Sequence, residues 1–98
     1  MRLQETIKNK IIQLAQQHFG KNMHLYLFGS RVYDEKKGGD IDLFLETDAP
    51  VSMQTQINFL RDVYKNATQR KIDLLIKTPD SKDRSIFHSA KDEGILLC

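Results

Sequence analysis

The chain has 98 residues, enough for one domain with a single core of two packed layers but too few for a second, acceptor-binding domain. Lysine and arginine number 15 against 13 aspartates and glutamates, and the resulting formal charge of +2 argues against direct nucleic-acid binding through a broad basic surface. One cysteine, Cys98, rules out an internal disulfide framework and fits a cytoplasmic protein, and no stretch approaches the length of a membrane span.

Taken along the chain, Leu3, Ile7, Ile11, Leu14, Ala15 and Phe19 recur at helical spacing, and Gly20 follows, which predicts an amphipathic first helix with a glycine cap. Met23, Leu25 and Leu27 alternate with His24, Tyr26 and Phe28, a strand that Gly29 ends. Arg31 to Gly39 reads as a polar loop, and Gly38-Gly39 allows a tight turn. From Asp40 to Glu46, Ile41, Leu43 and Leu45 share one face of a second strand, while Asp40, Asp42 and Phe44 share the other.

Pro50 marks a boundary, after which Met53, Ile57, Leu60, Val63 and Tyr64 give a second helical stripe with Ser52 or Asp48 as cap. Lys71 to Ile76 is a third strand, with Asp73 opposite in phase to Ile72, Leu74 and Ile76. Thr78-Pro79-Asp80 breaks it, and Asp80 or Ser81 is expected to cap a last helix that packs Ile86, Phe87 and Ala90, before Gly94 and an apolar end. The expected fold is α+β, an α/β sandwich: one mixed sheet with helices packed chiefly on one face, and one domain over residues 1–98.

Three carboxylates carry the chemistry. Asp40 and Asp42 are two apart on a strand, so both side chains point the same way from α-carbons about 6 to 7 Å apart. Magnesium takes a few carboxylates and lets phosphate and water oxygens complete its octahedron. Asp73 has the same phase relative to its strand's apolar face, so strand pairing would bring all three to one site, where two magnesium ions could serve an attacking hydroxyl and a leaving pyrophosphate. Gly29-Ser30 at a strand end adds a place where backbone can approach phosphate and a hydroxyl can donate to it. A solvated sheet face explains any one of these aspartates and a simple turn explains Gly-Ser; the combination, with Asp73 inside an apolar strand, favours a nucleoside triphosphate site.

Leu27-Phe28-Gly29-Ser30-Arg31, Gly39-Asp40-Ile41-Asp42-Leu43 and Lys71-Ile72-Asp73-Leu74 together resemble the minimal nucleotidyltransferase family of the polymerase beta-like superfamily, over nearly the whole chain. The resemblance implies the polymerase beta-like nucleotidyltransferase fold. It implies that Gly29, Ser30 and Arg31 bind the nucleotide, and that Asp40, Asp42 and Asp73 hold the metals and catalyse transfer. Small members of this family are commonly paired with a helical HEPN-domain protein. In such pairs the HEPN protein is a ribonuclease toxin, and its antitoxin transfers AMP from ATP to a toxin tyrosine. The spacer from Ser30 to Asp40 is nine residues, one shorter than is usual, and Asp34 stands where a glycine often follows Gly-Ser-Arg.

Other residues are read more plainly. Arg31 is weighed evenly between phosphate contact and solvated charge, while Lys36, Lys37 and Tyr33 are read as loop residues. His18, His24 and His88 lack metal-ligand spacing, and no P-loop signature is present. The rival to an enzyme is a non-catalytic module that neutralises its partner by docking; the sequence leaves self-association open.

Overall fold

The computed structural model describes residues 4–28 and 41–98. Helix α1 (Glu5–Phe19) leads into strand β1 (Met23–Phe28); strand β2 (Ile41–Thr47), helix α2 (Met53–Asn66), strand β3 (Ile72–Lys77), helix α3 (Ser85–Glu93) and a short strand β4 (Ile95–Leu96) follow. The strands form one mixed sheet in the order β3-β2-β1-β4. β1 pairs antiparallel with β2 and β4, and β2 pairs parallel with β3. A parallel pair cannot be closed by a hairpin, and α2 supplies the crossover.

Alternation along the strands divides the molecule into two apolar layers. Met23, Leu25 and Leu27 of β1 and Ile41, Leu43 and Leu45 of β2 face α1 and α2, where Ile11, Leu14, Ala15, Phe59 and Val63 complete the main core. The two helices are joined across their ends by a 5.0 Å contact between the Phe19 and Phe59 rings and by His18 Nε2, 2.7 Å from Asp62 Oδ2. On the other face Tyr26, Phe44, Phe87 and Ala90 make a smaller cluster under α3. The sheet order requires α3 to carry the chain from the β3 edge to the β4 edge, and it does so across this second face. Two helices on one side and one short helix on the other agree with the expected layering.

Glycines enable two of these connections. Gly20 ends α1 with φ of +82°, a conformation that side-chain-bearing residues rarely adopt. At Gly94 the constraint is close approach: an added Cβ would collide with the Ala90 carbonyl oxygen and sit 3.1 Å from that of Leu27. This lets the end of α3 lie directly against β1.

The structure departs from the sequence reading in five places, four in the elements and one at the site. Ile95-Leu96, read only as an apolar end, forms β4, and the pairing continues as the Leu97 amide donates to the Leu25 carbonyl at 2.7 Å. Asp80 and Ser81 do not cap α3, which starts at Ser85 after Arg84. The Ser81 hydroxyl is spent instead on the turn, accepting from the Thr78 amide at 3.0 Å. Ser52, by contrast, does cap α2, accepting from the Thr55 amide at 3.1 Å.

The third departure is on α2, which buries Phe59 and Val63 and leaves Met53, Ile57 and Tyr64 exposed. The fourth is β3, which lies at the sheet edge, so that each of its residues is only partly buried. Asp73 is therefore 46% exposed and not enclosed in an apolar strand.

Candidate active site

Register brings two of the candidate carboxylates together. The amide of Ile41 donates to the carbonyl of Lys71 at 2.9 Å, and this bond at the mouth of the parallel pair sets Ile41 against Ile72 and Asp42 against Asp73. Side chains of directly opposed residues lie on the same side of a sheet, and adjacent strands are about 4.8 Å apart. Asp42 and Asp73 are thus neighbours on the face that α3 covers. Phe28 of β1 opposes Asp42 from the other side, so the chain leaves β1 for Gly29 beside the carboxylate pair.

The carboxylates border an open groove of about 410 Å³ lined by Phe28, Asp42, Asp73, Leu74, Leu75 and Ile86. Its walls are apolar, and that environment strengthens any charge interaction made inside it. α3 supplies one wall. Phe87 stacks on Phe44 with ring centroids 5.7 Å apart, Phe44 meets Tyr26 at the same separation, and this anchoring leaves the preceding residue, Ile86, at the groove's rim, 42% exposed. The packing expected of Ile86 is not found: Phe87 and Ala90 fill the cluster, and Ile86 points aside from it.

Lys71, in the same strand phase as Asp73, places its Nζ 3.6 Å from Asp73 Oδ1. Both groups are well exposed, so the ion pair is weak, and it leaves Asp73 able to exchange the ammonium for a stronger cation. Sequence reasoning missed Lys71, Phe28 and Ile86 as site residues. Strand phase alone marks the first two, since Lys71 lies two residues before Asp73 and Phe28 precedes the Gly-Ser turn. Nothing in the sequence marks Ile86, whose position depends on α3 crossing the sheet.

The nucleotide-binding candidates Gly29, Ser30 and Arg31 and the carboxylate Asp40 lie outside the described residues, as do Tyr33, Lys36 and Lys37. Among the described residues no group of three or more histidine, cysteine or acidic side chains is placed to hold a metal. The donor set of Asp42 and Asp73 nonetheless fits magnesium, being two hard oxygen ligands side by side and open to solvent. Asp83 is remote in character from this pair. A hydrogen bond with His88, whose Nε2 is 2.9 Å from Asp83 Oδ1, holds its carboxyl below the usual range.

At the opposite end of the sheet a larger groove of about 640 Å³ is lined by Lys21, His24, Glu46, Asp48 and Lys77 among others. Its mixed charges converge on no single chemistry. Lys91 on α3 reaches Glu46 across its flank at 3.5 Å. Size alone does not outweigh paired carboxylates as an indicator of function.

Comparison with known proteins places the chain in a family and a fold. Residues 9–98 match the family described as polymerase beta, nucleotidyltransferase. No curated protein matches the chain significantly. Among solved structures, the chain resembles one from the toxin-antitoxin MntA-HepT complex, with a TM-score of 0.72 at 20% identity over 97% of this chain and 72% of that one. A second, a toxin-antitoxin complex with AMP-PNP, gives 0.73 at 19% identity, covering 93% of this chain and 72% of the other. A third holds the tri-AMPylated Shewanella oneidensis HEPN toxin with its MNT antitoxin and gives 0.73 at 21% identity over 98% and 72% of the two chains. At these identities the likeness is one of fold.

Proposed function

Since the chain belongs to the polymerase beta nucleotidyltransferase family, we propose that it transfers AMP from ATP to a hydroxyl of a protein partner, a tyrosine of a HEPN-type toxin, and acts as the antitoxin of the pair. The observation that carries this reading is the register that sets Asp42 beside Asp73 on the rim of an open groove, next to the point where the chain departs for Gly29-Ser30. Solved relatives of the same fold that include an AMP-PNP complex and an AMPylated HEPN toxin support the choice of nucleotide and partner. The whole of residues 1–98 serves as one minimal transferase domain in the cytoplasm. Among the described residues no helix is long and apolar enough to cross a membrane.

In the reaction the acceptor oxygen attacks the α-phosphorus, the bond from that phosphorus to the bridging oxygen of the β-phosphate breaks, and pyrophosphate leaves with the electron pair while the hydroxyl proton passes to solvent or base. Asp42 and Asp73, with Asp40 two residues before Asp42, would hold two magnesium ions, which supply charge neutralisation and a lowered hydroxyl pKa when bound. Gly29, Ser30 and Arg31 bind the phosphates. Phe28, Leu75 and Ile86 form apolar walls that flank the reacting atoms. Lys71 neutralises Asp73 when no metal is held there.

The test incubates the protein with its helical partner, ATP and magnesium and measures the partner's intact mass. One or more AMP additions on tyrosine are expected, absent with the Asp40→Ala, Asp42→Ala double variant. A partner that stays unmodified yet is neutralised equally by wild type and double variant would establish a docking module in place of an enzyme.

A further inference from the structure

Among the described residues, nothing covers the outer face of α2. At about 100° per residue, Met53, Ile57, Leu60 and Tyr64 fall within an arc of about 60°, with the alternating four- and three-residue spacing of a helix-pairing seam. Met53 is 67%, Ile57 49% and Tyr64 57% exposed, and Leu60 is half-buried at the margin of the main core. Phe59 and Val63, which anchor the helix, point elsewhere, so the seam contributes little to the fold. At its C-terminal end the seam runs into a socket of about 280 Å³ lined by Leu60, Tyr64, Gln69, Arg70, Lys71 and Ile72.

Charge along this surface has one sign. Arg61 and Lys65 are the charged residues of α2 besides Asp62, and Asp62 is turned toward α1 in its pair with His18. Arg70 and Lys71 line the lip of the socket, with the Lys71 ammonium turned to Asp73. A second copy of the chain would bring two such borders against each other, an arrangement that like-charge repulsion disfavours.

We propose that the α2 seam is a docking surface for an amphipathic helix of a partner protein, one whose apolar stripe is flanked by aspartate or glutamate. The helix lays its apolar residues on Ile57, Leu60 and Tyr64, seats one of them in the socket, and sets its carboxylates against the exposed Arg61 and Lys65. The surface lies on the opposite face of the sheet from the carboxylate groove and holds whether or not the protein transfers nucleotide. Because the socket ends at Lys71 and Ile72, at the start of the strand that carries Asp73, a partner seated there leaves its remaining mass at the β3 edge, within reach of the groove.

The test uses two labelled, stapled peptides, helical and three heptads long with leucine at the seam positions, one flanked by glutamate and one by lysine. Fluorescence anisotropy should show binding of the glutamate peptide at least about tenfold tighter than the lysine peptide, a difference that salt reduces. Ile57→Glu and Tyr64→Ser should each weaken it about tenfold with an unchanged melting temperature, and Leu96→Glu, an exposed apolar residue on β4, should not. Arg61→Glu with Lys65→Glu should reverse the peptide preference. Sedimentation velocity of the protein alone should show a monomer. Equal binding of both peptides, no binding of either, or indifference to Ile57→Glu would overturn the proposal. A concentration-dependent dimer abolished by Ile57→Glu would assign the surface to a second copy instead.

Discussion

Replacing Asp42 by asparagine separates a ligand role from a structural one. The wild-type sheet sets two carboxylates side by side across a parallel pair, and like charges directly opposed on neighbouring strands destabilise by roughly 0.2 to 1 kcal/mol. Lys71, 3.6 Å from Asp73 and 70% exposed, offsets only part of this repulsion. Asparagine keeps the shape and removes one charge, so the metal-free variant should gain about 0.5 kcal/mol, which for a chain of this size raises the melting temperature by about 2 to 4 °C. Magnesium should reverse the order. Wild type gains about 1.4 kcal/mol at a metal concentration ten times the Kd, and the variant, lacking one ligand, gains less. Thermal melts followed by circular dichroism, in chelator and then in excess magnesium, read both effects. A variant that loses more than about 1 kcal/mol in chelator would show that Asp42 supports the fold, and the argument from like-charge repulsion would be wrong.

Gly94→Ala should cost about 1 to 3 kcal/mol in urea denaturation, since its Cβ meets backbone oxygens of Ala90 and Leu27 that cannot rotate away; a neutral effect would mean that α3 can shift off β1. Burial pushes the Cys98 thiol above its ordinary 9.0, against a smaller opposing effect from its hydrogen bond to Leu25, so iodoacetamide should modify it slowly at neutral pH and speed up only in more alkaline solution. The sign for stability follows: the neutral thiol favours the fold below its unfolded pKa, and that contribution is lost as pH rises toward the folded value. Alkylation at the rate of an unfolded control would contradict both statements.

The elements with one clear apolar face were legible in the sequence. β1 and β2 carry aliphatic residues at alternate positions, and these inward residues Leu25, Leu27, Leu43 and Leu45 are fully buried, although Tyr26 and Phe44 on the other face are buried too, under α3. α2 was harder because it carries two apolar arcs, and periodicity alone cannot say that Phe59 and Val63 face the sheet while Ile57 and Tyr64 do not. β4 is two residues long and depends on pairing with β1, a contact distant in sequence that no local pattern encodes. The turn at Thr78 consumed the side chain expected to cap α3, because a serine hydroxyl can serve either end of a short connection. At the site, phase on two strands was enough to place Asp42 and Asp73 on one face. Their adjacency needed the parallel register, and the groove needed α3 to cross above it.

The central claim is that Asp42 and Asp73 belong to one metal and nucleotide site at this end of the sheet. Manganese titrated into isotope-labelled protein with a non-hydrolysable ATP analogue broadens the amide resonances nearest the bound ion. The account predicts early loss of Phe28, Asp42, Asp73 and Leu74, with Glu46, Thr47 and Lys77 at the far end of the same strands still visible. Loss centred on Glu46, Asp48 and His24, or no localised loss at all, would contradict it.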